Sequence, residues 1–185
     1  MTKMRTIKKV IICAVCIALC VVLPLAFHSI PNAGVIFSPM HIPVLICGLV
    51  CGWPYGLFAG LAGPALSCLF TGMPPVTMLP QMMVECLVYG LVSGLLMKVI
   101  KTKNVIADLY ICLVIAMIAG RIVNGLAKAL IFARGTTTII TWATTSFVLS
   151  WPGILIQLIL IPWVVFALMK ARLIPERYPK KREEL

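Results

Sequence analysis

An all-α membrane protein with six transmembrane helices, two of them short, is the fold class the sequence predicts, and three features predict it. The 185-residue chain is 62% hydrophobic and only 11% charged, with a mean hydropathy of +1.09. Soluble domains of this size carry about a quarter charged residues, so most of this fold has lipid as its solvent. Apolar runs also recur along the chain at lengths that suit a bilayer crossing, about 20 residues for a helix. Finally, the basic residues border those runs. They fall at Lys3, Arg5, Lys8 and Lys9, at Lys98, Lys101 and Lys103, and at Lys170, Arg172, Arg177, Lys180, Lys181 and Arg182. Such clusters mark cytoplasmic flanks. The net charge of +11 therefore belongs to a membrane face and not to a nucleic-acid groove; the lipid bilayer is an expected partner and nucleic acid is not. The length allows one domain, residues 1–185.

The first span covers residues 8–27 and ends near Pro24 and Phe27. It is too long for a signal-peptide core and lacks a small-residue cleavage site after it, so it reads as a retained helix. Residues 28–41, HSIPNAGVIFSPMH, are rich in loop-forming proline, glycine, serine and asparagine. Residues 42–70 are apolar but about half again too long for one straight helix. GWPYG at 52–56 breaks them into two short spans, 42–52 and 55–71. TGMPP then turns the chain, 77–98 makes the fourth span, and KVIKTKN closes it on the basic side. Residues 108–133 form the fifth span, a polar threonine-rich loop follows at 134–147, and 148–169 form the sixth. An even number of spans places both termini on one side. The basic flanks make that side cytoplasmic, including the tail of about 170–185, and leave the loops at 28–41, 71–77 and 134–147 outside.

Eight cysteines raise the question of disulfides or metal. Cys13, Cys16 and Cys20, and again Cys47 and Cys51, stand at helical spacing inside apolar runs. Cysteine in that setting is a small packing residue, and no histidine or acid joins them at ligand spacing. No metal or other cofactor is expected.

Ionisable residues inside predicted spans are costly unless they face protein or water, which makes them functional candidates. They are Glu85 in span four and Arg121 and Lys128 in span five. Arg121, Asn124 and Lys128 share one helical face at i, i+3 and i+7. Glu85 falls about eight residues, or roughly 12 Å, below the outer end of its span, at a depth similar to that of Asn124. Glu85 is expected to pair with Arg121 or Lys128. One acid against two bases leaves a positive surplus, which favours an anionic or strongly hydrogen-bonding ligand. The alternatives are that Lys128 snorkels to the headgroups and that Arg121 and Glu85 are purely structural partners. Gln81, Tyr89 and Gln157 add polar groups at outer-half depth, suited to interhelical bonds or ligand contact. Trp142 and Trp151 flank the outer end of span six, as an aromatic belt or as a stacking wall.

Small residues set close helix contacts. Span one carries Ala14 and Ala18 at small-xxx-small spacing; Gly48, Gly52, Gly56, Gly60 and Gly63 run through the short spans, with Gly90 and Gly94 in span four.

The order of these features over residues 39–96, PMHIPVLICGLVCGWPYGLFAGLAGPALSCLFTGMPP followed by MLPQMMVECLVYGLVSGLL, with six short spans and a basic N-terminus, resembles the substrate-binding S component of energy-coupling factor (ECF) vitamin transporters. The resemblance covers nearly the whole chain. It implies a bacterial cell-membrane protein that binds a vitamin or precursor in an outward-open pocket built largely from spans four to six. It implies that the loop between spans one and two is a lid, to which His41, with His28 and Asn32, would contribute; a solvated loop histidine is the plainer role for His41. It implies that Ala14 and Ala18 dock on a transmembrane coupling subunit. Two cytoplasmic ATPases would hydrolyse ATP, so the chain itself is not an enzyme. The MHI triplet also begins nickel and cobalt members of this transporter class, but Met40-His41-Ile42 is internal and lacks the free amine.

An intramembrane enzyme would need clustered acids or histidines, which the chain does not offer. A stand-alone small carrier is the other alternative, although no internal repeat supports alternating access by two halves. A positive pocket suits pantothenate, whose carboxylate would meet Arg121 or Lys128; folate, cobalamin or a cobalamin precursor also fit. The substrate-binding set expected is thus Arg121, Asn124, Lys128, Glu85, Gln81, His41, Asn32, Trp151 and Gln157.

Overall fold

The computed structural model describes residues 4–26, 33–132, 139–175 and 178. Described helices are α1 Thr6–Ala26, α2 Ala33–Phe37, α3 His41–Cys51, α4 Trp53–Thr71, α5 Leu79–Val99, α6 Val105–Ala127, α7 Ile139–Ala143 and α8 Trp151–Lys170. The helix begun by α6 continues as a π-helical turn over Lys128–Phe132, and α7 runs into a second one over Thr144–Leu149. Among the described residues, four helices are long and apolar enough to cross a membrane: Thr6–Ala26, Leu79–Val99, Val105–Ile131 and Trp151–Lys170. Where the short span at 42–52 was expected lies the 11-residue apolar helix α3, which is shorter than those four. The expected 55–71 corresponds to the 19-residue α4, which is not among those four. Its break from α3 is sharp because Gly52 holds φ 93, a conformation open to glycine, and Pro54 then starts the new helix. The region read as a polar loop at 134–147 holds α7 and the π-helical turn, and the expected lid at 28–41 holds α2.

The core lies between α1, α3, α4, α5, α6 and α8. It contains the thiols of Cys13, Cys16, Cys20, Cys47, Cys51, Cys86 and Cys112 beside Val44, Leu45, Tyr89, Leu109 and Leu113. These cysteines form no disulfide among the described residues and act in packing, with a few weak bonds to neighbouring backbones: Cys13 to the Tyr55 carbonyl, Cys20 to that of Met40, and Cys51 to that of Lys9. The α4–α5 crossing is tighter still. A Cβ on Gly90 would lie 2.0 Å from the Gly56 carbonyl oxygen, so the two backbones touch where only glycine fits.

These contacts also sort the ends of the bundle. Cys51 reaches Lys9 and Cys13 reaches Tyr55, so the start of α1, the end of α3 and the start of α4 lie together. At the start of α6 the fully buried Asp108 accepts from the Thr102 amide and hydroxyl and from the Tyr178 hydroxyl, at 2.7–2.8 Å. That bond brings the segment after α8 under the α5–α6 loop. Ile174 plugs the core beside it. The described basic clusters belong to the termini gathered here: Lys8 and Lys9, Lys98 to Lys103, and Lys170 with Arg172.

Candidate functional site

Away from that basic end, three helices bring polar side chains together. On α5, Glu85 and Tyr89 stand one turn apart, and the Tyr89 hydroxyl donates to Glu85 Oε1 at 2.7 Å. From α6, Asn124 Nδ2 donates to Glu85 Oε2, also at 2.7 Å. From the first residue of α3, His41 Nε2 lies 3.9 Å from the same Oε2. Its ring meets that of Tyr89 edge-on, with centroids 4.9 Å apart. His41, Glu85 and Tyr89 are all buried. The Tyr89 ring can lie flat against α6 because residue 120 is glycine; a Cβ there would sit 2.2 Å from Tyr89 Cε1.

Arg121, one turn before Asn124 on α6, faces a different set. Its Nη1 donates to the Ser146 carbonyl and, at 2.9 Å, to Ser150 Oγ. Its guanidinium lies 5.7 Å from the Phe147 ring centroid. Phe147 in turn packs edge-on against Trp142 at 5.9 Å, and Trp142 lies on Gly125 of α6. Ser150 occupies the N-cap position of α8, yet its hydroxyl turns back to the Thr145 and Ser146 carbonyls. These carbonyls come free where the π-helical turn ends, so Ser150 and Arg121 serve as their donors. Gln157 of α8 donates to the Ser38 carbonyl at 3.4 Å, and that carbonyl also receives the His41 amide. The α8 helix is thereby tied to the start of α3.

Among the described residues, six buried polar atoms of this group have no hydrogen-bond partner: His41 Nδ1 and Nε2, Arg121 Nε, Asn124 Oδ1, Trp142 Nε1 and Gln157 Oε1. Buried polar groups are nearly always paired, and leaving one unpaired costs about 1–3 kcal/mol. Here the unpaired atoms all belong to one constellation and include both donors and acceptors. A polar guest would satisfy them.

Of the residues singled out in the sequence, Glu85, His41 and Asn124 meet directly, Arg121 and Gln157 border them, and Asn32 lies outside the described residues. The expected pairing of Glu85 with Arg121 or Lys128 is not formed among the described residues. Glu85 takes uncharged donors and Arg121 takes a carbonyl and a hydroxyl. Lys128 is half-buried at the end of α6, Gln81 is half-buried in the first turn of α5, and Trp151 is 58% exposed. None of the three bonds into the constellation. Ser38, Ser146, Phe147 and Ser150 were not singled out. Ser150 precedes a tryptophan–proline helix start, a sequence signal for a cap, but nothing in that signal points to Arg121.

A family model described as "ECF transporter, substrate-specific component" matches residues 8–173. No curated protein and no solved structure matches the chain.

Proposed function

The chain belongs to the substrate-specific components of ECF transporters, and from that premise we propose that the constellation around Glu85 and Arg121 holds a water-soluble vitamin or vitamin precursor. Members of this family are substrate-binding membrane subunits that work with an ECF module, not enzymes. The observation that carries the site assignment is the group of unpartnered buried atoms on His41, Arg121, Asn124, Trp142 and Gln157. Arg121 keeps its Nε free for an acceptor, and a carboxylate is the ligand group that a guanidinium holds best. Pantothenate is the simplest cargo with that group; folate, cobalamin or a cobalamin precursor are the alternatives.

In this reading α2 and the start of α3 form the inner part of a lid, with His41 directed at the cargo. The end carrying the basic clusters is cytoplasmic, and the site opens to the other side. Ala14 and Ala18 are both exposed on α1. Ala14 lines an apolar groove of about 350 Å³ with Val10, Cys13, Ile17, Pro54, Tyr55 and Phe58. Such a groove beside small residues suits a helix of the coupling subunit, and energy would come from two ATPases behind it.

Mass spectrometry of small molecules that co-purify with the detergent-solubilised chain tests the site. A vitamin or precursor at one per chain is expected. A chain that neither retains nor binds any water-soluble vitamin or precursor overturns the assignment. Uptake that persists without an ATPase partner would instead favour a stand-alone carrier.

A further inference from the structure

Glu85 and Arg121 are 8% and 4% exposed, carry opposite formal charges, and are not paired with each other among the described residues. Each is held by neutral groups: Glu85 by the Tyr89 hydroxyl and the Asn124 amide, Arg121 by the Ser146 carbonyl and the Ser150 hydroxyl. A buried ion without a counter-charge costs several kcal/mol, and removing it from water is repaid only by good partners. Asn124 follows Arg121 by three residues on α6 and grips the Glu85 carboxylate. Arg121 and Asn124, the residue that grips Glu85, are therefore about one helical turn apart, roughly 5–6 Å between their side-chain roots.

The unpartnered atoms follow these two charges in part. Arg121 Nε belongs to the guanidinium held by Ser146 and Ser150, while Trp142 Nε1 lies beside Gly125, across the Phe147 ring from that guanidinium. The acceptors Asn124 Oδ1 and Gln157 Oε1 lie on the Glu85 side, with the His41 imidazole and the spare lone pairs of Glu85. A carboxylate has about four acceptor positions, and Tyr89 and Asn124 fill two of those on Glu85.

We propose that the site selects a bipolar molecule, with an acidic, acceptor-rich end at Arg121 and a hydroxyl, amide N–H or amine end at Glu85, His41, Asn124 and Gln157. This rests on the constellation being the substrate site. It makes Glu85 a specificity determinant and not only a helix-packing partner. Acids of similar size that lack a donor group one turn's distance away leave Glu85 and Gln157 unanswered and are rejected.

The test is to incubate the purified full chain with a dialysable small-molecule cell extract and to identify what it retains by mass and fragmentation. Affinity for the retained molecule is then measured in wild type, Glu85→Gln, Arg121→Lys and Gln157→Leu. The expected result is a molecule bearing both groups, with affinity reduced roughly ten- to hundredfold in Glu85→Gln and measurably in Gln157→Leu. Should Glu85→Gln not fold, Gln157→Leu and the identity of the retained molecule still decide. A retained acid with no donor group, or affinity unchanged in the folded variants of Glu85 and Gln157, overturns the bipolar reading and leaves the site standing. A wild-type chain that retains nothing overturns both.

Discussion

Asn124 donates to the Glu85 carboxylate at 2.7 Å across the α5–α6 interface, in the position where a cation was expected. A neutral amide can do this because it supplies a donor at little desolvation cost, whereas a guanidinium or ammonium must itself be taken out of water. Asn124→Asp therefore places two carboxylates in contact inside the bundle and is expected to destabilise it more than Asn124→Leu does. The Leu variant removes one hydrogen bond to a charged group, worth about 1.5–3 kcal/mol. Thermal unfolding in detergent orders the three proteins; equal midpoints for Asp and Leu would refute the assigned bond.

Long apolar runs were legible in the sequence because lipid demands them, and α1, α5, α6 and α8 fall within a few residues of expectation. So was the break at Gly52, since glycine and proline there act on the backbone directly. The extent of α4 was legible too, Trp53–Thr71 against the expected 55–71. Its three glycines and two prolines are poor helix formers, but α5 packs on Gly56 and Gly60 and α1 on Gly63, which supplies what propensity lacks. Of the site, the residues were legible and their pairing was not. Glu85, Arg121 and Asn124 stand out because polar groups in lipid are costly. Which donor reaches which acceptor depends on side-chain geometry: Tyr89 lies one turn along the same helix, and Ser146 becomes an acceptor only because a π-helical turn frees its carbonyl.

Gly90→Val should cripple assembly of the bundle. Its Cβ would fall on the Gly56 carbonyl, and backbone cannot yield as a flexible side chain does. A loss of at least about 2 kcal/mol is expected, at the upper side of overpacking costs. The check is the monodisperse fraction in gel filtration. Leu95→Val, at a more exposed position on the same helix, should leave that fraction unchanged.

The segment after α8 is tied to the bundle by Tyr178 and Ile174. Asp108→Ala strands the Thr102 amide and both hydroxyls that point at it, a cost of about 1–3 kcal/mol. Tyr178→Phe removes one of those bonds and should cost less. Unfolding midpoints in the order wild type, Tyr178→Phe, Asp108→Ala support the tie, and an unshifted Asp108→Ala midpoint refutes it.

Ala14→Trp is expected to spare ligand binding while blocking assembly with the coupling subunit. Ala14 is exposed and borders the α1–α4 groove, so an indole there fills the groove without entering the core. Ligand affinity and co-purification with the coupling subunit and ATPases are measured on the same preparation. A normally assembled complex would rule out this face as the dock.

Arg121 has two duties that substitution can separate. Its Nη1 secures the Ser146 carbonyl and the Ser150 hydroxyl, while its Nε has no partner among the described residues. Arg121→Ala loses both and should weaken ligand binding without unfolding the protein, because the core residues of α6 face elsewhere. Arg121→Lys keeps the charge and one anchor but cannot present a planar fork. If the arginine serves only to hold the π-helical turn, Lys restores affinity nearly fully, and Ser150→Ala lowers it as much as Arg121→Ala does. If the arginine binds the cargo, Lys recovers only part, and Ser150→Ala costs less than about tenfold while Arg121→Ala costs more than that, the loss of a charge-assisted hydrogen bond being worth about 1.5–3 kcal/mol. The second pattern is expected, and equilibrium binding across the four proteins distinguishes them.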